Sequence, residues 1–582
     1  MALNKYYEDE LSYLRDLGDE FARDNPKLVS FLSRQSSDPD VERLIEAFAF
    51  LTARLREKLD DELPELAHSL VQLLWPHYLR PIPAMSLLEF KPVPGAVQSK
   101  TRIARGVPVQ SRPIDGTACQ FRTCYDVDLL PLTVQQVEVE SSSAASLLRL
   151  RLQTTDGLPI GAIGADRLRL HLGNEREPLI ARTLHLWLTR YVSSVTLVPD
   201  SGAEIPVQPS ITAIGFGPDE DVIPYPVNAF AGYRLAQEYF VFPQKFMFAE
   251  IGRLNALAGV AGQAVTLRIN FSRPFPDRIR LSPSHVRLNC TPVVNLFAHD
   301  GQPLTVDHAK TEYRVRPSGT NALHYSIHGI ERVTGWIQGR GERVVYEAFE
   351  SFRHAIAAGG DQTYYRTRLK PSVTRRGGDL YMSFVNREEQ IARASTETVS
   401  LALTCSNGPL AELVPIGGID QPTSSTPSMV TFQNIGTVTP EVPPPIGTGL
   451  MWRLIANMAR NYASLADVEA LRTVLSTYHF AATFDVQQAR RLELLMEGLQ
   501  AIETEPFEWI HRGLPIRGHK VRLSMVESKV GGEAEAHLFG AVLNQFLGIY
   551  ASVNACHQLV VRGAESKVEF EWPARVGVNP GI

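Results

Sequence analysis

The residues of this chain that could do chemistry are plentiful, but they are not set at chemical spacing. There is no Gly-x-Ser-x-Gly elbow, no phosphate loop closing on Gly-Lys-Ser/Thr and no His-Glu-x-x-His pattern. Gly215-Phe216-Gly217 is followed by Pro218 and Asp219, so a dinucleotide loop there lacks a backbone donor. Asp219-Glu220-Asp221 is the densest acidic run and carries the oxygen ligands a hard cation takes. The same run reads more simply as a solvated loop between strands. Cys119 and Cys124 are five apart, without the two-residue spacing and second pair of a zinc site. Among fifteen histidines, the suggestive neighbours are His308 beside Asp307, and His324 with His328. Alternation around Tyr325 and Ile327 puts 324 and 328 on the outward face of a strand. With 63 acidic residues, a pair for glycosidic acid–base work can always be proposed, so that signal has no specificity. No catalytic, cofactor-binding or metal-binding residue is assigned, and no cofactor is expected.

The rest of the composition fits that negative. At 582 residues the chain is long enough for several domain-sized units and needs no disulfide or metal as a staple. Hydrophobic residues make up 44% and charged residues 21%, near the average for globular proteins. A net charge of -5 gives no electrostatic case for nucleic acid or an anionic membrane as the main partner. Five scattered cysteines suit a reducing cytosol. Lys5, Glu8 and Asp9 near the start exclude a signal peptide from this reading, and no apolar run of about 18 residues predicts a spanning helix. A cytoplasmic protein is expected.

The predicted fold class is α+β and multidomain. Residues 1–80 read as an N-terminal helical segment. Tyr7, Leu11, Leu14 and Phe21 recur at helical spacing, and Asp38-Pro39 caps a second helix carrying Val41, Leu44, Ile45, Phe48, Leu51, Leu55 and Leu59. Pro64 opens a third, stopped by Trp75-Pro76. Such amphipathic stripes close a bundle of their own or lie against another chain, and sequence alone does not choose. From 81 to 420 the period becomes 2. Leu148–Leu152, Leu168–Leu172, Leu184–Leu188, 265–271, 286–290, 380–384 and 399–403 alternate as half-buried strands, a large, mostly antiparallel β region of sandwich or barrel type in two domains.

Residues 421–449, rich in Pro, Ser and Thr, read as a linker or extended arm. Residues 450–582 read as a compact α+β domain. Its helices run from Trp452 to Tyr462, from a Ser464-x-x-Asp467 capping box through Leu475, from Asp485 onward, and from Leu538 to Tyr550. Its strands are Val521–Met525 and Val568–Trp572. The segment 232–248 holds six aromatics in seventeen residues, a density that suits a core with a turn at Pro243 or a partner contact.

Several stretches, in order, carry a family resemblance: YYEDELSYL from Tyr6 to Leu14, DPDVERLIEAFAF from Asp38 to Phe50, LLWPHY from Leu73 to Tyr78, and the aromatic segment. They continue with CTPVVNLF from Cys290 to Phe297, WRLI from Trp452 with NYASL behind it, and LFGAVLNQF from Leu538 with YASVN from Tyr550. Together they resemble the TssF family of type VI secretion baseplate proteins, also called ImpG or VasA. The loop Glu533–His537 and Cys556 depart from the pattern locally.

The resemblance implies a structural subunit of a cytosolic contractile machine, not an enzyme. It implies pairing with TssG and with a second copy of TssF, contacts with TssK and TssE, and wedges arranged around the VgrG hub. Such a subunit docks at the inner face of the cytoplasmic membrane through the assembled baseplate and acts mechanically in sheath contraction and effector delivery. Tyr7, Leu11, Leu14, Val41, Leu44, Phe48 and Leu55 are then the expected partner interface. A phage-derived tail protein outside secretion, or a β-rich carbohydrate-active enzyme, are the competing readings.

Overall fold

A computed structural model describes residues 7–8, 11–12, 14–15, 40, 43–53, 70–73, 75–225, 231–307, 310–319, 321–337, 343–349, 364–372, 377–385, 397–445, 467–548, 551 and 555–577. These fall into two compact units, one holding the described residues up to Pro76 and the other those from His77 onward. In the first, the described stretches around 7–15, 43–53 and 70–73 are helical. No helix among the described residues is long and apolar enough to cross a membrane.

The larger unit is mostly antiparallel sheet, in keeping with the α+β class. Its six-stranded sheet runs Gln421–Pro422, Pro108–Ile114, Thr117–Thr123, Cys290–Val294, Met85–Pro92 and Val430–Asn434. Two of these strands lie in the stretch read as a linker, which is corrected for residues 421–445. Val430 and Phe432 are buried beside Phe90, while Leu88–Pro92 pairs with the backbone of Val430–Asn434. Interrupting prolines hide such short strands from a composition reading, because pairing partners are remote in sequence.

A five-stranded sheet built on Ser146–Thr154 and Ala264–Phe271, and a four-stranded sheet built on Leu168–Leu172 and Phe248–Gly252, share one core with the helices Pro178–Arg190, Ala231–Val241, Val468–Ser476, Val486–Gly498 and Glu533–Leu547. The strand expected at Leu184–Leu188 is therefore a helix. Pro178 sits in its first turn, and Leu184, His185, Leu186, Trp187 and Leu188 are all buried. A segment buried on every side has no wet face, so its apparent alternation carries no period.

The helix Glu533–Leu547 also moves the expected boundary at 450. Tyr239 stacks on Phe539 at 5.1 Å and Tyr233 meets Phe546 edge-on at 5.7 Å, so the C-terminal segment and the middle region bury one another. A further sheet of eight strands, Leu304–Val306 and Glu397–Ser406 among them, keeps its own core around Val333, Met382 and Leu401.

The last sheet starts from a long ribbon, Leu499–His511 paired with Leu514–Met525, and continues in parallel to Cys556–Gly563. The helix Glu533–Leu547 lies between the two parallel strands in sequence, the usual crossover for parallel pairing. Helix caps follow local chemistry. The Asp485 carboxylate accepts the amides of Gln487 and Gln488 at the start of Val486–Gly498. Asp467, expected inside a helix opened at Ser464, is itself the cap of Val468–Ser476. Ser464, the helix 452–462 and Tyr550 lie outside the described residues.

Candidate assembly surface

The residues first searched for chemistry turn out to hold the fold together. The Glu220 carboxylate accepts the amides of Gly215 and Gly217 at 2.6 and 2.8 Å, and Arg105 clasps the Asp219 carbonyl and the Asp221 carboxylate at 3.0 Å. The acidic run is thus a loop, as expected, with Asp219 exposed and the loop capped by its own Glu220. His328, expected on an outward face, is buried, its Nδ1 3.0 Å from the Pro81 carbonyl oxygen. A register shift between Ile327 and Gly329 bulges the strand there and turns the side chain inward. Burial pushes its pKa down to about 3. His308 lies outside the described residues, and His324 binds the Thr117 hydroxyl at 2.8 Å. All five cysteines are buried thiols. Among the described residues no three His, Cys, Asp or Glu side chains gather as a metal set.

A cavity of about 350 Å³ is lined by Arg102, Asp126, Asp128, Arg167, Arg169 and Glu250. Its charges are spent on each other: Arg167 on Asp128 at 2.7 Å, Arg169 on Glu250 at 2.9 Å, and Arg102 on Asp126. Burial holds the Cys290 thiol beside it far above its usual pKa, which keeps it protonated and unreactive. The aromatic segment is core: Tyr233, Tyr239, Phe242, Phe246 and Phe248 are buried. At its centre Glu238 and Lys245, both fully buried, form an ion pair. The Glu238 carboxylate also accepts the amides of Val222 and Ile223, at 2.8 and 2.9 Å.

Apolar surface is exposed as well. In the helical stretch 43–53, Leu44 is 70% exposed and Phe48 58%, with Leu51 beside them, while Ala49 and Ala53 are buried. Residues 44, 48 and 51 stand on one stripe and 49 and 53 on the other side. The helix thus turns its small residues inward and its large ones out. Of the other residues expected at an interface, Tyr7, Leu11 and Leu14 are half-buried, and Val41 and Leu55 lie outside the described residues. The alternation-based reading missed a second apolar site, the end of the ribbon around Trp509, Ile510 and Leu514. Its signal was the pair Arg512-Gly513 between two alternating runs, weaker than the usual Asn-Gly.

The family model for the type VI secretion system protein TssF matches residues 1–579. The type VI secretion system component TssF1 of Pseudomonas aeruginosa is 30% identical over 631 aligned residues, covering 100% of this chain and 99% of that protein. A chain of the type VI secretion system TssK-TssF-TssG baseplate subcomplex, solved by cryo-electron microscopy, is 30% identical with a TM-score of 0.77, covering 93% of this chain and 99% of its own. A chain of another type VI baseplate complex is 27% identical with a TM-score of 0.62, over 99% of this chain and 100% of that one. The chain belongs to the TssF family, the structural baseplate subunits of the type VI secretion system.

Proposed function

We propose that this chain is a non-catalytic strut of a baseplate wedge, joined to TssG and TssK and to a second copy of itself. The observation that carries this is end-to-end likeness to a chain of a solved TssK-TssF-TssG subcomplex. In this reading the wedge meets TssE, surrounds the VgrG hub and docks at the inner face of the cytoplasmic membrane through the assembled baseplate. The core shared by the middle sheets and the C-terminal segment ties these parts together to transmit force, and rearrangement takes place at interfaces with two discrete packings. A saccharide cleft is disfavoured, because the aromatics that would line it fill the core.

The outward stripe of Leu44, Phe48 and Leu51 supports placing a partner helix there. Charging it with Leu44→Asp and Phe48→Asp is expected to abolish co-purification with co-expressed TssG while a folded chain survives. Native mass measurement of the wild-type complex is expected to give two copies of this chain per TssG. An aggregated variant would instead mark the stripe as core of this chain, and a wild-type chain that ignores both TssG and TssK would overturn the reading.

A further inference from the structure

The ribbon is longer than the sheet that supports it. Of the ribbon, Cys556–Gly563 pairs with Gly518–Met525 alone, so Leu514–Arg517 and the outer edge of Leu499–His511 have no strand beside them except each other among the described residues. A free two-stranded ribbon is marginal in water. This one also spends its end on apolar surface: Ile510 is 75% exposed and Leu514 68%. The register puts Phe507, Trp509 and His511 on one face with Leu514 and Ile516, and the Trp509 and His511 rings lie 4.5 Å apart. Ile510 and Pro515 sit opposite each other on the reverse face.

The turn adds a second observation. Arg512 and Gly513 both have positive φ, 52° and 81°, as a two-residue hairpin turn of this hand requires. Asn, Asp or Gly fills the first position at lower cost, and an arginine there holds a backbone conformation its side chain disfavours. Along the ribbon the other cations are matched: Arg517 with Glu508 at 2.9 Å, Arg522 with Glu505 at 3.3 Å, and Lys520 with Glu571 at 2.9 Å. Arg512 makes no ion pair or hydrogen bond among the described residues.

We infer that the end of this ribbon is a docking finger that seats in an apolar cleft rimmed by carboxylates on another protein of the baseplate. Aromatic residues and arginine are the side chains that dominate binding energy when buried together at an interface. An anionic membrane fits less well. Surface binding there draws on a cluster of unneutralised cations, whereas Glu503, Glu505 and Glu508 line the outer strand and only Arg512 is unmatched. The inference rests on the chain working as a baseplate subunit, and the test separates the two.

This chain is to be co-expressed with TssG, TssK, TssE and VgrG from the same organism, with Ile510 replaced by p-benzoylphenylalanine and irradiated in the assembled complex. A crosslink to one of those proteins, next to Asp or Glu, is expected. Arg512→Glu is expected to weaken that contact by roughly thirtyfold, the scale of a hot-spot loss. Arg512→Gly, which relaxes the turn and so cannot act through misfolding, is expected to weaken it as well. If the wild type binds TssG and TssK but gives no crosslink, or if Arg512→Glu with Trp509→Ser leaves every contact unchanged, the finger is refuted while the subunit reading stands. Crosslinking to a second copy of this chain, or binding to phosphatidylglycerol vesicles that these variants abolish, also overturns it. A wild type that binds neither TssG nor TssK removes both.

Discussion

Lys245→Met is the most direct probe of how the core is built. Lys245 and Glu238 are both fully buried, and burial drives the ammonium pKa down while the carboxylate opposes the shift. The ammonium also donates to the Glu220 carbonyl oxygen at 2.9 Å, tying the acidic loop to the helix Ala231–Val241. Removing one partner of such a pair costs about 3–5 kcal/mol, since the other charge stays buried without compensation. Lys245→Met belongs at about 3 kcal/mol, because two backbone amides still serve the Glu238 carboxylate. Glu238→Ala belongs near about 5 kcal/mol, because it orphans those amides as well as the ammonium.

The double variant Lys245→Met/Glu238→Gln removes both charges, and its glutamine oxygen can still accept the two amides. It is expected to fall within about 2 kcal/mol of wild type, a coupling of the kind seen between directly touching residues. Urea unfolding followed by circular dichroism, with m unchanged, measures each term. The reasoning fails if Lys245→Met is neutral within about 0.5 kcal/mol, or if the double variant, set beside Lys245→Met and Glu238→Gln alone, loses the sum of the two.

Acid should destabilise the fold before the carboxylates titrate. Burial lowers His77, His171, His328 and His537 to about 3, and His185, His479 and His557 to about 4. Above pH 6.5 these rings are neutral whether folded or unfolded and contribute nothing. Below it the unfolded chain takes up protons that the folded chain refuses, so stability falls until the pH passes the folded values. Each ring contributes about 1.4 kcal/mol of loss at pH 5.5. Melting temperatures that stay flat or rise between pH 6.5 and 5.5 would contradict this. Gly518→Ala should destabilise the C-terminal sheet by about 3 kcal/mol, as overpacking against backbone does. A Cβ there would stand 1.7 Å from the Cys556 carbonyl oxygen across the parallel pair. A variant with unchanged melting would show that the two strands pair differently.

Much of the local structure was legible because side-chain period is a local property. Leu148–Leu152 and the strand through Leu267 and Ile269 alternate because one face is wetter than the other, and Asp485 caps a helix by its own carboxylate. Leu168–Leu172 is a strand as expected, but with His171 buried on its second face. The ordered motifs from Tyr6 to Asn554 were enough for the family. What depended on remote neighbours was not legible. Leu184–Leu188 is helical because it is enclosed on all sides, and Val430–Asn434 is a strand because Met85–Pro92 offers it an edge. His328 turns inward at a bulge, and Glu238 finds Lys245 only across a turn. The apolar stripe itself is written in the order of residues, but its direction is not. A hydrophobic residue states that it gains by leaving water, not whether its own chain or another will cover it. Only packing Ala49 and Ala53 inward leaves Leu44 and Phe48 facing out.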